Sequence, residues 1–255
     1  MADPSALADR AALLRRLHDE HRPLVLPTVW DAWSAQTAAG CGFAALTVGS
    51  HPLATSRGEA DQEGQALAEV VEAVARITAA VDVPVSVDLE AGYGVAPDDL
   101  LRALLDAGGV GLNLEDTVHA EGGRLRSTDE HAAYIAGLRE AADRAGVPVW
   151  INGRTDLFAR ADDKHAVLDD VLDRLRAMVA AGADSVYPVK IQDDDDLLRA
   201  VVDAVEVPVN ATAHPARHDL RRFADLGVRR ITNGPLLQAA LTEATQELLA
   251  AWRPA

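Results

Sequence analysis

Eight times along the chain, a short apolar run gives way to a longer amphipathic stretch. The apolar runs lie at 24–28, 43–48, 84–88, 110–114, 147–152, 184–189, 207–211 and 228–232. Most carry Val or Ile, and several follow a Gly or Pro breaker. Such runs read as buried strands. The stretches near 31–39, 62–81, 97–107, 128–145, 161–181, 193–204, 215–226 and 234–252 have a helical period, and a shorter one near 5–18 precedes the first strand. Within 171–180, Val171, Leu172, Leu175, Met178 and Val179 share one helix face. Strand then helix, repeated eight times in 255 residues, predicts a (β/α)8 barrel. No Pro/Gly/Ser-rich linker divides the chain, so residues 1–255 are expected to form one barrel domain. A doubly wound sheet is the alternative. However, Gly92-Tyr93-Gly94 lacks the third glycine of a dinucleotide fingerprint, and no GxxxxGK[ST] phosphate loop occurs.

Charge narrows the function classes. The formal net charge is -16, from 40 acidic and 24 basic residues. Phosphate backbones demand the opposite sign, so no nucleic-acid partner is expected. No apolar stretch approaches the roughly 18 residues of a membrane helix. Met1-Ala2-Asp3-Pro4-Ser5 lacks the basic start and apolar run of a secretory signal. The single cysteine, Cys41, excludes an intramolecular disulfide and is expected to be buried. A cytoplasmic location is the expectation. The run Asp193 to Asp196 reads as a solvated loop opening a helix, because acids favour helix N-termini.

A barrel gathers its chemistry at the C-terminal ends of its strands. Those ends carry Trp30-Asp31, Gly49-Ser50-His51, Asp88-Leu89-Glu90, Asn113-Leu114-Glu115-Asp116, Asn152-Gly153-Arg154-Thr155-Asp156, Tyr187-Pro188-Val189-Lys190, Asn210 and Thr232-Asn233-Gly234. Asp88 and Glu90 are spaced i, i+2, which in a strand points both the same way. Two adjacent carboxylates repel unless a cation or a shared proton lies between them. Mg2+ suits oxygen ligands of this kind, with Mn2+ as a substitute.

Six segments in register resemble the isocitrate lyase/phosphoenolpyruvate mutase superfamily, which includes the phosphonomutases. Val87-Asp88-Leu89-Glu90-Ala91-Gly92-Tyr93-Gly94 is similar to its VDxDxGYG segment, Leu114-Glu115-Asp116 to IED, and Gly153-Arg154-Thr155-Asp156 to ARTD. Trp30-Asp31-Ala32-Trp33-Ser34-Ala35 resembles the opening NxxDxxSA. Val209-Asn210-Ala211 and Gly227-Val228-Arg229-Arg230-Ile231-Thr232 resemble the late PxN and GVxRIS segments. The resemblance implies a barrel whose last helix is exchanged with a neighbouring subunit, hence a homodimer or homotetramer. It also implies a Mg2+-dependent site for small 2-oxo or 2-hydroxy carboxylates, with C–C or P–C bonds broken through an enolate that the metal stabilises.

Carried over by position, Asp88, Glu90 and Glu115 match the metal-site carboxylates. Asp61 matches an aspartate that helps hold the metal site or the reacting group; helix N-capping is its bland alternative. Gly49, Ser50 and His51 fall where the family binds substrate carboxylate. Arg154 matches the arginine that pairs with substrate oxyanions, which suits a guanidinium fork. Asn210 matches a strand-end asparagine, with a core hydrogen-bonding role as the alternative. Tyr187 and Lys190 have weaker claims. Trp30 either walls the pocket or packs in the core.

The loop after the fourth strand departs from the family. Residues 117–127 contain none of the KKCGH-like loop of the isocitrate and methylisocitrate lyases, nor the lysine and asparagine of the phosphoenolpyruvate mutases. They do contain His119, Glu121, Arg124 and the pair Gly122-Gly123, which could hinge a gate. His119 or Glu121 is the expected proton-transfer group. The favoured function is a Mg2+-dependent lyase that cleaves a C–C bond. The alternatives are a P–C mutase or hydrolase and a metabolite-binding barrel without turnover.

Overall fold

Parallel pairing closes the eight expected strands into a barrel. The computed structural model describes residues 4–20 and 22–253. Residues 1–3, 21, 254 and 255 of the expected domain lie outside the described residues. The strands are β1 (Leu24–Leu26), β2 (Thr28–Val29), β3 (Leu46–Val48), β4 (Val85–Asp88), β5 (Gly111–Glu115), β6 (Thr117–Val118), β7 (Arg124–Leu125), β8 (Trp150–Thr155), β9 (Ser185–Pro188), β10 (Asn210–Thr212) and β11 (Arg230–Thr232).

Pro27 has no N–H to give, and it splits the first barrel strand in two. β1 pairs with β11, and β2 pairs with β3. From β3 the parallel ring runs through β4, β5, β8 and β9. A bridge from Val186 to Val209 joins β9 to the chain entering β10, and β10 pairs with β11. β6 and β7 form a small antiparallel hairpin outside the ring.

The helices are α1 (Pro4–His18), α2 (Ala32–Gly40), α3 (Ser50–Arg57), α4 (Leu67–Thr78), α5 (Pro97–Asp106), α6 (Thr128–Ala145), α7 (Leu157–Arg160), α8 (Leu168–Ala180), α9 (Asp195–Ala204), α10 (Leu220–Asp225) and α11 (Leu236–Ala250). α4 shows how they pack: Val70, Ala73, Val74 and Ile77 recur at the spacing of one helix face and are buried against the barrel.

Several boundaries differ from the expectation for local reasons. The helix expected from 62 starts only at Leu67, because Gln62 and Glu63 take left-handed backbone. The fifth barrel strand begins at Trp150, not 147, because Pro148 cannot donate to the ladder. It then continues through polar Asn152 and Arg154. The stretch 161–181 becomes a helical turn at His165–Val167 followed by α8. α3 and α7 were not expected. Cys41 is exposed rather than buried, because it caps the C-terminus of α2 where the chain turns outward.

The barrel interior is partly polar. Asn152 donates to Asn113 at 2.8 Å, and Ser185 donates to Asn152 at 2.6 Å. Arg230 is fully buried and donates to Asn210 Oδ1 at 2.5 Å and Ser86 Oγ at 3.2 Å. Burial lowers the pKa of Arg230 to about 10. Among the described residues, no helix is long and apolar enough to cross a membrane.

Candidate active site

Arg154 lies at the centre of an acidic rim. Its Nη1 is 2.7 Å from Glu115 and 3.6 Å from Asp88, and its Nε donates to Asp156 at 2.8 Å. Glu115 ends β5 and Arg154 sits directly opposite it on β8, so strand register alone brings them together. The other oxygen of Glu115 meets His119 Nε2 at 2.7 Å. Burial is the main force raising Glu115 to about 7, against the attraction of Arg154. The bond to Glu115 raises the pKa of His119.

Asp88 and Glu90 do not share a strand face. β4 ends at Asp88, and Glu90 has a left-handed backbone at φ 48°. The turn therefore sets the direction of Glu90. Its two oxygens accept from Tyr93 Oη at 2.9 Å and from the Glu63 backbone N–H at 2.6 Å. Gln62, Glu63, Glu90 and Tyr93 all take left-handed backbone, which concentrates strain around one carboxylate. Burial, then the nearby Asp88 charge, raises Glu90 to about 8. Asp88 is held more loosely: Oδ2 lies 3.4 Å from Ser50 Oγ, and Oδ1 accepts the Glu90 N–H at 3.3 Å. Burial raises its pKa as well.

A cavity of about 400 Å3 opens at the C-terminal ends of the strands. Gly49, Ser50, His51, Asp61, Asp88 and Arg154 all line it. Gly49 is required by close approach, since an added Cβ would stand 2.7 Å from the Thr28 methyl. Tyr187 and Lys190 also line the cavity, and Tyr187 Oη is hydrogen-bonded to Thr212.

Other expected residues lie elsewhere. Trp30 faces a separate apolar cavity with Trp33, Phe43 and Leu241, because its strand end turns outward into α2. Asn210 is fully buried inside the barrel, bonded to Arg230 and Thr232, so it takes the core role. Glu121 is exposed on the 117–127 loop and paired with Arg124 at 2.6 Å. His119 is turned onto Glu115 and is 3.9 Å from Glu90.

Residues 14–252 match the family described as phosphoenolpyruvate phosphomutase. The chain belongs to that family. A solved protein from Burkholderia cenocepacia, provisionally named a phosphonomutase, is 40% identical with a TM-score of 0.86, covering 95% of this chain and 99% of that one. An oxaloacetate decarboxylase from Pseudomonas syringae pv. tomato is 31% identical over 233 residues, 87% of this chain and 77% of its own length. A solved 2,3-dimethylmalate lyase is 26% identical with a TM-score of 0.79, covering 96% of this chain and 86% of that one.

Within this phosphomutase-family barrel, sequence reasoning missed the residues that brace the site. Asp116 is fully buried and accepts from Thr155 Oγ1 at 2.6 Å, the Asp156 N–H at 2.9 Å and Arg174 at 3.2 Å. Arg174 also donates to the Arg126 carbonyl, tying down the end of the 117–127 loop. Asp156 accepts from Thr117 Oγ1 at 2.8 Å. Glu63 accepts the Tyr93 N–H at 2.6 Å. Asp116 was legible in Leu114-Glu115-Asp116, where a second acid stands beside a rim glutamate. No local pattern marks Glu63.

Proposed function

We propose that this chain is a Mg2+-dependent carbon–carbon lyase acting on a small 2-oxo or 2-hydroxy carboxylate. The observation that carries this reading is the convergence of Asp88, Arg154 and the start of α3 on one cavity of about 400 Å3. That volume suits a compact ligand. The named lyase and decarboxylase among the relatives support the same bond class.

The donor set fits a hard divalent cation. Among the described residues, no three of His, Cys, Asp or Glu form a ready-made ligand shell. Glu90 and Glu115 already spend their oxygens on protein donors. Mg2+ keeps several of its waters, so it needs few direct ligands. Asp88 would hold it directly, with Glu90 and Glu115 reached through water. When bound, the ion would supply positive charge to a carbonyl oxygen. Backbone N–H groups at the start of α3 would hold the substrate carboxylate, and Ser50 Oγ would add a donor. Arg154 would orient the reacting group while keeping Glu115 and Asp156 in place. The 117–127 hairpin would gate the cavity. It carries no lysine, and Arg124 is taken by Glu121 and Glu130, which argues against P–C chemistry.

Purified protein with MgCl2 and oxaloacetate should release pyruvate and CO2, or oxalate and acetate, above the uncatalysed rate. Screening 2-hydroxy dicarboxylates extends the test. Inertness toward both substrate classes would sink the lyase reading.

The raised carboxylates give a pH signature. Glu90 and Glu115 ionise near 4.5 in the unfolded chain but at about 8 and about 7 when folded. Between those values the unfolded chain holds fewer protons. Their contribution to stability is therefore complete below pH 4.5 and is lost as pH rises through 7 to 8. A bound cation favours the ionised form and reverses this loss. Millimolar MgCl2 should therefore raise the melting temperature more at about pH 8.5 than at about pH 6. Equal gains at both would remove these acids from the metal site.

α11 supports an oligomer. None of its residues is buried, and Leu241, Leu248 and Leu249 are exposed. The apolar cavity around Trp30 and Trp33 adjoins it, lined also by Leu237 and Leu241. Exchange of α11 between subunits would cover both surfaces. Sedimentation should show a dimer or tetramer that Leu241→Asp with Leu248→Asp dissociates; a monomeric wild type would refute the exchange.

A further inference from the structure

No residue of the loop expected to supply a proton lines the cavity in this structure. Glu121 is paired at the surface, and His119 Nε2 is committed to Glu115. A lyase still needs a proton donor. When a C–C bond of a 2-oxo acid breaks, its electron pair becomes an enolate, and a proton must then reach the enolate carbon.

We propose that His51, backed by Asp61, is that donor. Both residues line the cavity. His51 is the second residue of α3, on the same wall as Ser50, and so beside the place proposed for the substrate carboxylate. Its Nδ1 is 3.1 Å from Asp61 Oδ2. A carboxylate at that distance keeps a proton on Nδ1 and leaves Nε2, on the opposite ring edge, to exchange its own. Asp61 is itself confined: its Oδ1 is buried and has no hydrogen-bond partner. The side chains of His51 and Asp61 are 54% and 32% exposed, so the pair stands at the mouth, between cavity and solvent. A hydrogen-bonded base with a second group orienting it is the arrangement that proton transfer requires.

The step balances. His51 as imidazolium gives its Nε2 proton to the enolate carbon. One C–H bond forms, and neutral imidazole remains hydrogen-bonded to Asp61. Solvent at the mouth restores the proton. In reverse, neutral His51 takes a proton from the carbon beside the carbonyl. Asp61 acts through His51 by fixing its ring through the Nδ1 contact.

This inference rests on the lyase reading, and the reverse proton transfer tests it apart from bond cleavage. Pyruvate is the ketone that oxaloacetate leaves on losing CO2. Wild-type protein with MgCl2 in D2O should exchange the methyl protons of pyruvate, followed by proton NMR. His51→Gln should slow that exchange by about 100-fold. Its calorimetric affinity for oxalate, an enolate mimic, should stay within about threefold of wild type, showing an intact site. Asp61→Asn should slow the exchange by about tenfold while its oxalate affinity stays within about threefold of wild type, a split that a purely structural role would not produce. Wild-type exchange rates in His51→Gln would overturn the dyad and leave the lyase reading standing. A wild type that cleaves oxaloacetate but does not exchange pyruvate would also overturn the dyad, and one inert toward pyruvate, oxaloacetate and the 2-hydroxy dicarboxylates would overturn both readings.

Discussion

Replacing Asp88 with alanine should abolish Mg2+-dependent turnover while leaving the apo protein as stable as wild type, or more so. Asp88 is the carboxylate with the weakest protein partners: its contacts to Ser50, Arg154 and the Glu90 N–H are 3.4, 3.6 and 3.3 Å. Such loose holding is what the proposed metal role of Asp88 requires, since an oxygen tightly held by protein donors has less to offer a cation. Losing the charge that an ion lends to a carbonyl oxygen removes several kcal/mol of transition-state stabilisation, roughly a thousandfold in rate. Folding responds in the opposite sense. Burial and the neighbouring acids Asp61 and Asp156 disfavour the Asp88 charge. Removing it leaves Arg154 still paired with Glu115 and Asp156. Steady-state rates with and without MgCl2, together with thermal melts, check both halves. Full activity in the variant would refute the metal assignment, and a large drop in melting temperature would make Asp88 a structural residue.

What was legible in the chain follows from which physics is local. Period and strand length are local, so the barrel and the level of the rim could be read from alternating apolar runs. Glu115 and Arg154 were legible for the same reason, since both end strands and the register places them opposite each other. Glu90 was found, but its direction was not. Its orientation depends on a left-handed turn and on Glu63, 27 residues away in sequence. Asn210 shows the limit of strand-end reasoning. Three residues long, β10 begins at Asn210, which puts the side chain in the interior with Arg230 rather than at the rim. Trp30 takes the core alternative, because the chain turns outward at Asp31, whose side chain caps α2. The dyad of His51 and Asp61 spans ten residues and depends on α3, a helix that Ser50-His51-Pro52 does not announce.

The largest effect on stability should come from Asp116→Ala, although Asp116 does not itself line the cavity. Its side chain is fully buried and takes three donors: Thr155 Oγ1, the Asp156 N–H and Arg174 Nη1. Arg174 is itself buried; its Nη1 also donates to the Arg126 carbonyl, and its Nε has no hydrogen-bond partner. Truncating one member of such a pair leaves an uncompensated buried charge, at a cost of about 3–5 kcal/mol. Whole-domain stabilities are about 5–15 kcal/mol, so the variant would stand close to unfolding. Burial raises the pKa of Asp116, against the hydrogen bonds from Thr155 and Asp156 that favour its charge. Asp116→Asn separates charge from hydrogen bonding: it keeps an acceptor but cannot balance Arg174. Were the carboxyl neutral in the folded protein, that variant would lose only about 1 kcal/mol, the worth of an ordinary hydrogen bond. Combining Asp116→Ala with Arg174→Met removes the orphaned cation and should recover most of the loss. Urea unfolding of the two single variants and the pair gives the coupling directly. Additive losses would mean that Asp116 and Arg174 do not act as a pair. A recovered double variant should regain stability without regaining full activity, because Asp156, which positions Arg154, would still lack the acceptor that holds its backbone.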